Sequence, residues 1–123
     1  MPEIFALAIT NALAGVAVSR LPQAAAWYRR LFDRKPDTQP MDGLVEWGFP
    51  DGGWIQLYED EGRAGRSSVT LVESDLDARL ADLARKGIEL LSSSSTEQGR
   101  IAIVRDPDGN LVVFAQGTAP IAR

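Results

Sequence analysis

Apolar residues along this chain change their spacing in a fixed order, and that order is met twice. Leu13 to Val18 is a short run of small and apolar residues, the pattern of a buried strand. Ala24, Trp27, Tyr28 and Leu31 then recur at i, i+3, i+4 and i+7, which predicts one apolar face on a helix from Pro22 to Phe32. Pro22 suits the first turn of that helix, and Lys35, Pro36 and Asp37 stop it. Strands are expected near Leu44–Phe49 and Trp54–Tyr58, joined by the turn Pro50-Asp51-Gly52-Gly53.

The second half repeats the scheme. A strand at Ser68–Val72 leads to a helix with Ser74 or Asp75 as N-cap and Leu76, Leu80, Leu83 and Ala84 as its apolar stripe. Gly87, directly after Arg85 and Lys86, suits the position past the helix end. Short strands are expected at Ile88–Leu91, Ile101–Arg105 and Leu111–Gln116. The last two form a hairpin around Asp106-Pro107-Asp108-Gly109-Asn110, and Ser92–Thr96 reads as a flexible loop, a solvated connector in preference to a ligand-gating lid. Each half is therefore βαβββ-like, with one module over about 11–62 and the other over about 67–117 of a single domain spanning 1–123. Neither module buries an adequate core alone, so the two are expected to pair their sheets.

Composition narrows the chemistry. At 45% hydrophobic and 24% charged residues, the 123-residue chain is of globular type. A net charge of −4, with no basic face in view, argues against nucleic acid as a partner. No stretch approaches the ~20 apolar residues of a membrane span. The apolar opening Ile4–Val18 lacks a basic leader, follows Pro2 and Glu3, and contains Thr10 and Asn11, so it is not read as an export signal. With no cysteine, a cytoplasmic location is expected. The chain also has no histidine, and so lacks both residue types on which transition-metal sites mostly rely.

Three segments resemble the vicinal oxygen chelate superfamily, also called the glyoxalase/bleomycin-resistance/dioxygenase superfamily. They are Leu21-Pro22-Gln23-Ala24-Ala25-Ala26-Trp27-Tyr28 with Leu31-Phe32, Ser74-Asp75-Leu76-Asp77-Ala78 running on to Leu83 and Gly87, and Asp106-Pro107-Asp108-Gly109-Asn110-Leu111. The resemblance extends from about Leu13 to Gln116, and the third segment is the most specific. It implies an α+β fold in which two paired βαβββ modules form a curled mixed sheet around a cleft. It also implies a homodimer. Metal-dependent members hold their ion with one ligand on each of four cleft-facing strands, and these places fall here on Leu13, Gln56, Ser68 and Val113. Leu and Val coordinate nothing, and Gln and Ser are weak neutral donors, so neither a transition metal nor Mg²⁺ is expected.

Strand alternation extends the cleft face from those four positions. Leu13 brings Gly15 and Ala17; Gln56 brings Trp54 and Tyr58; Ser68 brings Thr70 and Val72; Val113 brings Leu111 and Ala115. The opposite set is Val16, Val18, Ile55, Leu57, Val69, Leu71, Val112 and Phe114, which is uniformly apolar and belongs under the helices. Two aromatic rings around one amide suit an organic-ligand pocket, with Trp47 as a third ring. Each residue keeps a plainer alternative. Gln56 is satisfied by a neighbouring backbone group or Ser68, and Trp54 and Tyr58 pack at a subunit interface. Glu59-Asp60-Glu61 either draws a cationic ligand to the cleft mouth or is a solvated loop. Ser68 has no base on the cleft face, and Glu46 and Arg105 are the nearest charged residues on neighbouring strands, so no catalytic residue is assigned.

The function expected is binding of a small organic molecule without metal or cofactor, as in drug or metabolite sequestration. A divergent lyase, isomerase or dioxygenase-like enzyme of the same superfamily, and a non-catalytic interaction module, are the alternatives.

Overall fold

The computed structural model describes residues 7–117, so the start of the apolar opening, Ile4 to Ala6, lies outside the described residues. Its first module runs β1 (Leu13–Val18), α1 (Leu21–Phe32), β2 (Thr38–Met41), β3 (Leu44–Gly48) and β4 (Trp54–Glu59). Its second runs β5 (Ser68–Val72), α2 (Leu76–Arg85), β6 (Ser92–Thr96), β7 (Gly99–Arg105) and β8 (Leu111–Gly117). The strand orders are β1-β4-β3-β2 and β5-β8-β7-β6. In each sheet the first strand pairs parallel with the last, and the remaining neighbours are antiparallel. The result is the expected α+β architecture, two four-stranded mixed sheets making one curled layer with both helices against it.

The core lies on the helix side of both sheets. Val16, Val18, Ile55, Leu57, Val112 and Phe114 are wholly buried, Val69 is nearly so and Leu71 partly, so the helix-facing set behaves as alternation requires. From α1, Leu21, Ala24, Tyr28 and Leu31 complete the stripe; from α2, Leu76 and Leu83 do so. Asp75 is the N-cap of α2, and its carboxylate accepts from the Ala78 amide at 3.0 Å.

Two strands escape the hydrophobic pattern. The segment Ile88–Leu91, expected as a strand, is an extended lead-in whose Leu91 amide already bonds to Ile103 O. The strand itself is Ser92–Thr96, expected as a loop, and it pairs residue for residue with β7 through the backbone. β2, which the βαβββ scheme requires but the apolar pattern does not locate, pairs with β3. Both are edge strands exposed throughout, so no buried face imprints an alternation on their sequences.

The modules are tied together by the Asp106–Asn110 turn. Asn110 Nδ2 donates to Ala17 O at 2.8 Å and to Asp106 Oδ2 at 2.8 Å, while Asn110 Oδ1 accepts from Ser67 N at 2.8 Å. Tyr28 OH donates to Asp106 Oδ2 at 2.8 Å, and the Ser19 hydroxyl donates to Asp108 Oδ1 at 2.5 Å. Asp106 and Asn110 are buried polar residues, and this mutual bonding is what makes their burial tolerable. Burial first, and the Asp106 carboxylate second, push the Tyr28 hydroxyl's pKa far above its ordinary value, so it stays a donor. Gly65 packs on the same turn: its φ is +86°, and a Cβ there would meet Asp108 O at 2.5 Å.

Candidate cleft site

On the first sheet the face turned away from the helices carries a polar row. Register sets Gly15 beside Gln56, Gln56 beside Glu46, and Glu46 beside Thr38. Gln56 Nε2 donates to Glu46 Oε2 at 2.7 Å, and Thr38 Oγ1 donates to Glu46 Oε1 at 2.8 Å. The carboxylate is half-buried, and among the described residues it makes no ion pair. With the Gln56 amide nitrogen turned to Glu46, Gln56 Oε1 and the carboxylate are left as acceptors.

Two half-buried aromatics flank the row. Trp54 lies on Gly48, the residue opposite it, where a Cβ would come within 2.8 Å of indole Cε2. Tyr58 lies on Gly15, where a Cβ would stand 3.3 Å from ring Cε1. Each glycine leaves space that a side chain would fill, which lets the ring approach the neighbouring strand closely beside the polar row.

The sequence-predicted site residues divide as follows. Leu13, 46% exposed, Gln56, Trp54 and Tyr58 lie on the open face of the first sheet. Ser68 is exposed and Val113 half-buried on that of the second, beside Leu111 and Thr70 respectively. Trp47 is a correction. It pairs with Ile55, so it shares the helix-facing side; it is wholly buried against Tyr28 and Phe32 and donates its indole N–H to Arg34 O at 3.1 Å. Ala17, expected on the cleft, is also buried, with its amide on Ser67 Oγ at the module junction. Gln56 is bonded to neither of the partners anticipated for it but to Glu46, which sequence reasoning left unplaced. The register that pairs residues 46 and 56 was the missing signal.

The second sheet's open face is apolar at its centre, with Val113 between Ile103 and Thr70, and Ala115 between Ile101 and Val72. Its outer strand contributes only Ser92, Ser94 and Thr96.

The donors at the four ligand places do not fit a catalytic metal. They are two hydrocarbons, a carboxamide and a hydroxyl, with no imidazole or thiolate anywhere in the chain. Glu46 beside Gln56 is one carboxylate among neutral neighbours, too little charge for a hard cation. Among the described residues no three His, Cys, Asp or Glu side chains converge. Nor is any helix of the described residues long and apolar enough to cross a membrane.

Known proteins share this fold. The sequence profile described as "Glyoxalase/Bleomycin resistance protein/Dioxygenase superfamily" matches residues 9–114. A glyoxalase/bleomycin resistance protein from Catenulispora acidiphila is 31% identical, with a TM-score of 0.80 over 91% of this chain and 100% of its own. TnmS3, an antibiotic binding protein from Streptomyces sp. CB03234, is 23% identical, with a TM-score of 0.78 over 91% of this chain and 98% of its own. A lactoylglutathione lyase from Agrobacterium tumefaciens is 16% identical, with a TM-score of 0.75 over 90% of this chain and 96% of its own. The last two likenesses are of fold. Comparison with curated protein sequences finds no match.

Proposed function

The chain belongs to the Glyoxalase/Bleomycin resistance protein/Dioxygenase superfamily, and from that premise we propose that it binds a small, partly aromatic organic molecule in its cleft without a metal. The observation that carries this reading is the open face of the first sheet, where half-buried Trp54 and Tyr58 flank the bonded pair Gln56 and Glu46. Rings to stack on and a few fixed polar atoms are what a small-molecule site requires. In the row itself the polar atoms left over, Gln56 Oε1 and the Glu46 carboxylate, are acceptors, so the ligand presents a hydrogen-bond donor to them, with the Trp54 N–H and Tyr58 O–H as donors at its flanks. A bleomycin-resistance type of role, sequestration of a drug or metabolite, follows from such a site, and the fold shared with an antibiotic binding protein supports it. The likeness to a lyase does not extend to a metal-holding donor set among the described residues.

We assign the binding unit as a cytoplasmic homodimer. Leu13, Met41 and Val72 are large apolar residues left exposed at 46%, 64% and 63%, more than a single copy hides.

Tryptophan fluorescence titrated with a panel of antibiotics and aromatic metabolites tests the reading. A saturable response is expected from at least one compound, lost in Trp54→Phe although Trp27 and Trp47 remain. Glu46→Gln is expected to weaken binding about tenfold, the loss of a charge-assisted bond. A flat response across the panel overturns the binding function. Stoichiometric Zn, Fe, Mn or Ni in the purified protein overturns its metal-free character and favours the enzyme.

A further inference from the structure

Beside α1 an open pocket of about 440 Å³ lies between the helix and the segment that leads into β6. Trp27 and Arg30 stand one turn apart on α1 and share a face. Across from them are Leu90 and Leu91, large apolar residues that are nonetheless 44% and 47% exposed. Arg105, at the end of β7, completes the lining, and Glu89 is a carboxylate on the same wall.

Three features of this cavity are unexplained by folding alone. The Arg105 side chain is exposed and makes no hydrogen bond or ion pair among the described residues, although the chain as a whole is acidic. Arg30 is anchored through one guanidinium nitrogen on Lys86 O, which fixes the group and leaves its remaining N–H donors available. The Trp27 ring is held edge-on to Tyr28, with centroids 4.9 Å apart and planes at 76°, so it forms a rigid wall, and its N–H is unpaired within the described residues. Two guanidiniums outweigh one carboxylate, and an indole faces two leucines.

We infer that this cavity binds a small organic anion, a flat apolar body carrying one carboxylate. Arg105 and Arg30 receive the carboxylate, for which a planar guanidinium is matched in shape and charge. Trp27, Leu90 and Leu91 receive the body. The volume falls within the range of small-molecule pockets. The inference is independent of the cleft: it uses none of the cleft residues, and it calls for a ligand of opposite polarity.

The indole N–H resonances test it, with the Trp27 signal identified by its loss in Trp27→Phe. The probes are 2-naphthoate and its neutral counterpart 2-naphthylmethanol. Saturable displacement of the Trp27 resonance by naphthoate is expected, with the alcohol about tenfold weaker. Arg105→Gln is expected to weaken naphthoate to a similar extent while leaving the melting temperature in place, since the Arg105 side chain has no bonding partner among the described residues. Arg30→Gln weakens it likewise, and Trp54→Phe leaves it unchanged. An unmoved Trp27 resonance, equal binding of acid and alcohol, indifference to both arginine substitutions, or loss of the response in Trp54→Phe would each overturn the proposal.

Discussion

Tyr28 and Asp106 lie 78 positions apart in sequence, yet they share one of the few polar contacts inside the core. At the residue scale this bond has a definite consequence. Tyr28→Phe keeps the ring and its packing against Trp47 but takes one donor from a buried carboxylate. The remaining donors, Asn110 Nδ2 and the Asp108 and Asn110 amides, soften the loss. The expected cost is about 1–3 kcal/mol, read from urea unfolding, and an unchanged midpoint would mean the hydroxyl contributes nothing. The sequence shows Asp106-Pro107-Asp108-Gly109-Asn110 only as dense turn chemistry. Its second role, reaching back to Ala17 and Tyr28, depends on contacts no local spacing encodes. Trp47 teaches the reverse lesson. Once Trp47 is paired with Ile55, alternation alone assigns it to the core, so only the pairing register separated the right side from the wrong one.

Helices α1 and α2 meet at their C-terminal ends through charged groups rather than a large apolar seam. Lys86 Nζ lies 2.8 Å from Asp82 Oδ2 and 3.0 Å from Asp33 Oδ2, while Arg79 donates to Leu31 O at 3.3 Å and also pairs with Glu73. The Lys86 ammonium beside Asp82 lowers its pKa; burial opposes this, and the charges of Arg85 and Arg79 reinforce it. A carboxylate depressed in the folded state adds stability above its unfolded pKa of about 3.9, and that stability is lost as pH falls through the folded value. Asp82→Asn is therefore expected to be less stable than the parent chain at pH 7. The gap in denaturation midpoint should close as the pH drops below about 4; a gap that persists into acid would leave charge out of the account. At this scale the sequence was most legible where an element has a buried face, as in β1, β4, β8 and both helices. It was least legible at Thr38–Met41 and Ser92–Thr96, whose partners are supplied by neighbouring backbone and whose side chains all meet water. The cleft follows the same rule. Trp54, Gln56 and Tyr58 could be assigned to a face by alternation, but the Gln56–Glu46 bond needed the β3–β4 register.

For the whole molecule, one core joins residues of both modules, and the Asp106–Asn110 turn of the second completes the bonding of the first. A chain built this way is expected to unfold in a single step. Circular dichroism and tryptophan fluorescence should give coincident transitions; a resolved first transition would show that one module survives without the other. In solution at micromolar concentration, sedimentation at twice the chain's 13.4 kDa is expected, and a monomer throughout would remove the dimer from the proposed binding unit. The turn also sets a clock on solvent access. The Ala17 amide is held by Ser67 and the Asn110 amide by Asp106, at the junction where both halves of the chain meet. Both residues are buried at that junction, away from the exposed strands β2 and β6. Their deuterium uptake should therefore run at the rate of global opening and match each other, while the amides of β6 exchange orders of magnitude sooner.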